Sequence, residues 1–255
     1  MNLQIVVLNR LLKITGTVVK TLSYPFHFLF KKKRFTIPKQ SDAFFKSKKQ
    51  TKIPKIIWQT NYTNKVSLPV YLNYLINRLL SLTYEYRYMG HDVRDEFILK
   101  EASKELAEAY SQLTDGASQA DVWRLFVLNY IGGIYMDIDA HLVWPLSKII
   151  KEDDKEIFLL NKEHFTNYFI ASSPNNKILE KSLEIIVENI KEKKKVGVYS
   201  LTGPNVLNLA IGDNKVHNRY YKYTCIQGSF TNEYFQYIDK PRGKWTHAKV
   251  EDLLK

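Results

Sequence analysis

A chain of 255 residues, 45% hydrophobic and 25% charged, has the proportions of one globular domain with a sizeable core. Its 10 Gly and 8 Pro are too few for a fibrous or linker-dominated chain, and 17 Tyr, 13 Phe and 4 Trp exclude full-length disorder. The formal charge of +12 is concentrated at one end: residues 1–50 hold 11 Lys or Arg against a single acid, Asp42, while the rest of the chain holds 27 against 25.

The lone Cys225 forms no disulfide within the chain, which fits a reducing cytoplasm. No run of 18 apolar residues is present, and Arg10 and Lys13 interrupt the order of a secretory signal. The basic residues of the first segment interleave with apolar clusters (Ile5 to Leu8, Val18 and Val19, Phe26 to Phe30) and end in Lys31-Lys32-Lys33-Arg34. This pattern suits an interfacial anchor, through residues 1–35, on an anionic membrane surface. The alternative is a solvated, poorly ordered leader. Nucleic acid is not expected as a partner, because no nucleic-acid module accompanies the charge.

The ordered domain is expected to span 51–255, opening with a strand over Ile53 to Trp58. A helix follows over Pro69 to Leu82, then a strand over Tyr84 to Tyr88, a helix over Val93 to Tyr110 and another over Ser118 to Tyr130. Gly132-Gly133 stops that helix, and a strand follows over Ile134 to Ile138. Glu156 to Asn161 and Tyr168 to Ala171 are short strands, Asn176 to Lys194 is a helix, and Leu201 to Ile211 holds a loop and a helix. This alternation predicts an α/β, Rossmann-type, mainly parallel central sheet flanked by helices, carrying a basic N-terminal appendage over 1–50. Its ligands are expected beyond the carboxyl ends of the strands.

The chemistry concentrates in residues 117–139, ASQADVWRLFVLNYIGGIYMDID. In extended chain Asp137 and Asp139 project to one side and can converge on one cation; oxygen ligands select hard ions such as Mg²⁺ or Mn²⁺. A cation held by two carboxylates keeps positions open for a diphosphate. The plain alternative is a polar turn. Ser118 and Asp121 have the spacing of a capping box, which leaves Arg124, one turn later in an otherwise apolar helix, in need of a partner. Asp121 can be that partner.

IPKIIWQT (53–60), ASQADVWRLFVLNYIGGIYMDIDAHLVWPL (117–146) and, less specifically, SLTGPNVL (200–207) resemble the DXD-containing glycosyltransferases of family 32. That family includes initiating mannosyltransferases, capsule and lipooligosaccharide enzymes and, more distantly, clostridial glucosylating toxins. The resemblance covers roughly residues 53–212. It implies a GT-A fold, a UDP- or GDP-linked sugar donor, Mn²⁺ or Mg²⁺, and transfer with retention to a glycan or glycolipid acceptor, a bacterial surface polysaccharide or lipooligosaccharide precursor. By position it implies that Asp121 and Arg124 bind the donor sugar, that Tyr135 and Asp137 contact the donor, that Asp139 is the direct metal ligand with Asp137 beside it, and that Trp58 stacks on the base. The plain alternative for Trp58 is a core aromatic. Family members commonly end in a segment bearing His and Trp, and the nearest candidates here are Trp245 as a lid and His247 as a lid or metal ligand. Thr202-Gly203-Pro204 is either a backbone approach to phosphate or a plain turn. The resulting expectation is a glycosyltransferase that is cytoplasmic and peripheral on the inner face of the cell membrane. Two rivals stand beside it: a haloacid-dehalogenase-like phosphatase, whose DxD usually lies near the chain start and is followed by Thr or Val where this chain has His141, and a non-catalytic membrane-surface binding module.

Overall fold

The computed structural model describes residues 3–255. It opens with α1 (Leu3–Leu29), β1 (Phe35–Thr36), β2 (Gln40–Ser41), β3 (Ile56–Asn61), β4 (Lys65–Val66) and α2 (Leu68–Leu79). Then come β5 (Glu85–Gly90), α3 (His91–Glu101), α4 (Lys104–Gln112), α5 (Gly116–Tyr130), β6 (Gly133–Met136) and β7 (Ala140–Leu142). The second half adds α6 (Leu146–Ile149), β8 (Glu156–Asn161), β9 (His164–Ser172), α7 (Lys177–Lys191), α8 (Val198–Leu201) and α9 (Pro204–Ile211). It closes with β10 (Asn218–Tyr220), β11 (Cys225–Gln227) and α10 (Glu233–Gln236).

The main sheet runs β10-β8-β9-β6-β3-β5-β2. β10, β8, β6, β3 and β5 share one direction, with β9 and β2 reversed, so the mainly parallel α/β sheet expected from the sequence is the one observed. Period-two alternation gives each strand two buried faces. Ile57, Ile134, Met136, Ile157, Leu159 and Phe169 face the layer containing α2 and α6. Trp58, Tyr135, Phe158 and Ile170 face the layer built by α4, α5, α7 and α9. From β3 the chain crosses to β5 on one side and then to β6 on the other. A crevice therefore opens beyond the carboxyl ends of β3 and β6.

Local chemistry moves several boundaries. The first strand starts at Ile56 rather than Ile53 and runs through Asn61, because Gln59, Thr60 and Asn61 keep their register with Tyr88, Met89 and Gly90 of β5. The helix expected over 93–110 is two helices: Ser103 breaks it by capping α4, its hydroxyl accepting from the Leu106 N–H at 3.3 Å. The capping box expected at Ser118 is replaced by Asp115, whose carboxylate accepts from the N–H groups of Ala117 (3.0 Å) and Ser118 (2.9 Å). Asp121 is thereby left for other work. Gly132 and Gly133 have φ of 81° and 115°, and a Cβ on Gly133 would lie 2.7 Å from the Ile56 carbonyl oxygen, so the turn into β6 requires glycine.

The N-terminal segment packs closely on the rest of the domain. β1 pairs with β4, and β2 lies on the edge of the main sheet. Asn9 Nδ2 donates to the Lys222 carbonyl (2.8 Å), Lys20 Nζ to that of Gly228 (3.2 Å), and the Leu68 N–H to His27 Nε2 (3.0 Å). The polarity of α1 is inverted relative to an ordinary surface helix. Its inward residues are Asn9, Leu12, Gly16, Ser23 and His27, whereas Leu3, Val7, Leu11, Ile14, Val18, Leu22 and Phe28 point outward, Ile14 at 62% and Phe28 at 73% exposure. Met1 and Asn2 of the expected anchor lie outside the described residues. Among the described residues no helix is long and apolar enough to cross a membrane.

Candidate active site

The crevice encloses about 340 Å³, within the usual range for small-molecule sites, and Thr60 and Asn61 of β3, Arg124 of α5 and Tyr135, Asp137 and Asp139 at the end of β6 line it. Its far wall comes from the C-terminal segment through Gln227, Tyr237 and Trp245.

Arg124 is the hub. Its guanidinium lies 3.1 Å from Asp121 Oδ1 and 3.3 Å from Asp137 Oδ1, donates to the Asn167 carbonyl at 2.9 Å and sits 4.4 Å from the centre of the Tyr135 ring. Burial works against this charge, yet Tyr135, Asp137, Asp121 and Asp139 outweigh it and hold the guanidinium above its ordinary pKa. Asp121, expected to touch the donor, lies one layer deeper than the crevice lining. There it accepts from Asn167 Nδ2 (3.0 Å) and Thr202 Oγ1 (3.1 Å). Burial pushes its carboxyl up to about 7, against the pull of Arg124. Asp121 is thus a buried ion-pair partner of Arg124. Thr202 serves it through a side-chain hydroxyl rather than through a backbone approach to phosphate.

The two DXD carboxylates do converge, and the turn that carries them is pinned from three sides. Gln59 Nε2 donates to the Asp137 carbonyl (3.0 Å). Asn73 Nδ2 of α2 donates to the carbonyls of Ile138 (3.0 Å) and Ala140 (2.9 Å). Asn77 donates to Ala140 and accepts from the Leu142 N–H. Tyr135 O–H donates to Asp137 Oδ1 at 2.6 Å. Half-buried Asp139 is pushed up to about 7 by desolvation and by the Asp137 charge, with a hydrogen bond from Gln227 opposing.

The Gln227 amide nitrogen donates to Asp137 Oδ2 (2.8 Å) and to Asp139 Oδ1 (3.1 Å). Both carboxylates therefore reach one common point, and an all-oxygen pair fits a hard divalent cation. No cluster of three or more His, Cys, Asp or Glu residues suited to a metal occurs among the described residues, so further ligands have to come from amide oxygens, donor or solvent.

Two expected site residues lie elsewhere. Trp58 has no exposed surface: its Nε1–H donates to the Gly132 carbonyl at 2.9 Å, Trp123 meets it edge-on and Arg87 lies over its ring, which leaves no face for a nucleotide base. His247 pairs with Glu233 (2.6 Å) and does not line the crevice, so it is not placed as a metal ligand. Trp245, two residues earlier, does line it. Asn167 and Gln227 were missed as site residues by sequence reasoning, since single polar residues outside the motif carry no spacing signal; Thr202 was singled out, but for its backbone.

Residues 69–156 match the family described as glycosyltransferase sugar-binding region containing DXD motif. The chain is 36% identical over 98 residues to Toxin Afp18 of Yersinia ruckeri, which is 35% of this chain and 4% of that protein. It is 35% identical over 103 residues to a toxin of Photorhabdus asymbiotica, 37% of this chain and 3% of that protein. The chain thus spans only a few per cent of the length of these curated relatives. Among solved structures, PaToxG glycosyltransferase superposes with a TM-score of 0.53 at 24% identity, covering 63% of this chain and 68% of that one. The fold is GT-A-like, and residues 69–156 are similar to a glycosyltransferase DXD region.

Proposed function

We propose that this glycosyltransferase is metal-dependent and retaining, and that it transfers a sugar from a UDP- or GDP-linked donor held in the crevice. The observation that carries this reading is the gathering of Arg124, Tyr135, Asp137 and Asp139 around one opening at the carboxyl ends of β3 and β6. Glycosyl transfer develops positive charge at the anomeric carbon and negative charge on the departing diphosphate. Mn²⁺ or Mg²⁺, when bound by Asp137 and Asp139, supplies the neutralisation of that diphosphate. The chain's own part is positioning and preorganised charge. Asp121, Asn167 and Tyr135 hold the guanidinium of Arg124 in place, and Arg124 presents fixed positive charge to the donor. No carboxylate presents itself as a covalent nucleophile, so retention is assigned to attack by the acceptor hydroxyl on the face the diphosphate leaves.

Thermal melting with UDP, GDP and their sugars tests this. Nucleotide should stabilise the protein in Mn²⁺ and fail to do so after chelation. Equal stabilisation in both conditions would remove the metal from the mechanism.

The acceptor in this reading is a glycan or glycolipid precursor on an anionic, cytoplasmic leaflet. Support comes from α1, whose outward ridge from Leu3 to Phe28 is apolar, and from residues 1–41, which contain no acid while Arg10, Lys13, Lys20 and Lys31 to Arg34 supply cations. The lack of acids also argues against α1 pairing with a copy of itself. Flotation should show binding to vesicles containing phosphatidylglycerol, weaker binding to pure phosphatidylcholine, and loss of both on Ile14→Glu with Val18→Glu. The curated relatives named as toxins favour a second reading, transfer to a protein. Labelled sugar appearing on protein rather than lipid would decide for it.

A further inference from the structure

We propose that Gln227 gates the divalent-cation site: its amide nitrogen bridges the DXD carboxylates, and its amide oxygen becomes a third protein ligand when metal enters. The inference rests on the metal-dependent reading above and adds to it a residue from outside the motif.

The backbone at Gln227 is fixed. β11 pairs antiparallel with β7, placing Gln227 opposite Ala140, and the Gly228 N–H donates to the Asp139 carbonyl at 3.2 Å. Cys225 and Ile226 are buried, so the strand is anchored from inside. The side chain beyond it is exposed. One nitrogen donates to both acids, at 2.8 and 3.1 Å. An amide carries two N–H groups, one for each carboxylate, and its partial positive charge offsets a repulsion that a cation otherwise has to relieve.

The same geometry is wrong for a loaded site, because an N–H donor cannot ligate a cation. A half-turn about the terminal side-chain torsion exchanges nitrogen for oxygen with no movement of the backbone, and that torsion is broad and roughly two-fold. Side-chain amide oxygens are ordinary ligands for hard cations. Gln227 would thereby fill the place for which the sequence offered His247. Its position also makes metal entry a competition: the cation has to displace two hydrogen bonds before it gains three oxygens.

Mn²⁺ binding to the full chain, read from the free-ion electron paramagnetic resonance signal, tests the gate without any turnover. Gln227→Glu removes the bridging donor and keeps an oxygen, so it should bind Mn²⁺ at least tenfold more tightly than wild type and melt at a lower temperature when metal-free. Unchanged Mn²⁺ affinity in that variant overturns the gate. In the wild-type protein, the Gln227 side-chain N–H₂ resonances should shift and lose exchange protection on addition of Mg²⁺; a pair indifferent to Mg²⁺ also overturns it. Asp139→Asn separates the two levels of the argument. Wild-type binding abolished in Asp139→Asn keeps the metal site even if Gln227 fails, whereas no binding to wild type removes the metal site and the gate together.

Discussion

The two sides of the crevice are both built on acids, Asp121 buried and the DXD pair half-buried, and they are held in different ways. Around Arg124, the carboxylate of Asp121 meets an amide, a hydroxyl and a guanidinium, all contributed by buried residues of α5, β9 and the turn before α9. Around the DXD pair, the two acids share one exposed amide and face the opening. The first arrangement is closed and resists exchange; the second is satisfied only until something better arrives. Under the proposed function, the part that must not move is thereby separate from the part that accepts a ligand. Removing the cation from the closed half should do the greatest damage. Arg124→Met leaves Asp121 buried without a counter-charge, and the expected loss is about 3–5 kcal/mol of folding stability in urea titration. A loss below about 1 kcal/mol would show that water reaches Asp121 and that the contrast is false.

The open half should respond in the opposite way. Asp139→Asn removes a ligand oxygen's charge and also a like charge beside Asp137, so the metal-free protein should melt within a few degrees of wild type. Sugar transfer should fall by about a hundredfold or more, the order expected for loss of a major electrostatic contact to the departing group. The comparison sharpens if Arg124→Met lowers stability and activity together while Asp139→Asn lowers activity alone. If both variants unfold, the DXD turn is a structural element as well.

Much of this was legible in the sequence because the informative constraints are local. The glycine pair, the strand after it and two acids at alternate positions specify a turn, an element and a shared face within a few residues. Arg124 announced its need for a partner because a cation interrupts an apolar helix. The remainder was hidden by distance. Asn167, Thr202 and Gln227 lie 46, 81 and 88 residues from the acids they bond, and the placement of β9 beside β6, of α8 beside α5 and of β11 beside β7 brings them together. The fate of α1 was hidden too, since its basic composition indicated a surface but not that Asn9, Ser23 and His27 would be the buried side. Trp58 is a strand-end aromatic whose residue type suited both base stacking and the core, and it lies in the core. Its indole is the lid on the glycine turn. Trp58→Phe should remove the donor to the Gly132 carbonyl, cost about 1–3 kcal/mol and leave nucleotide affinity unchanged. A fall in affinity at unchanged stability would return Trp58 to the donor site.

The smallest effect expected is a pH dependence that ties α1 to the open half, through the turn that carries the DXD pair. His27 accepts the Leu68 N–H at the start of α2, the helix whose Asn73 and Asn77 grip the DXD turn. An imidazole that accepts must be neutral at that nitrogen. Burial, with help from Arg34 and against the opposing charge of Asp239, pushes the His27 pKa below its ordinary 6.5; Phe26 and Phe235 supply the remaining ring contacts. With the folded pKa depressed, the unfolded chain takes up its proton first. The His27 contribution is accordingly complete above about pH 6.5 and declines as the pH falls below it. Gln at position 27 retains a neutral acceptor and cannot titrate. Melting curves between pH 7.5 and 5 should therefore fall less steeply for His27→Gln than for wild type. The expected cost to the variant at neutral pH is on the order of 1 kcal/mol, because the longer, more flexible amide holds the Leu68 N–H less well. Parallel pH profiles for the two proteins would detach α1 from the DXD turn and leave the helix as a passive cover.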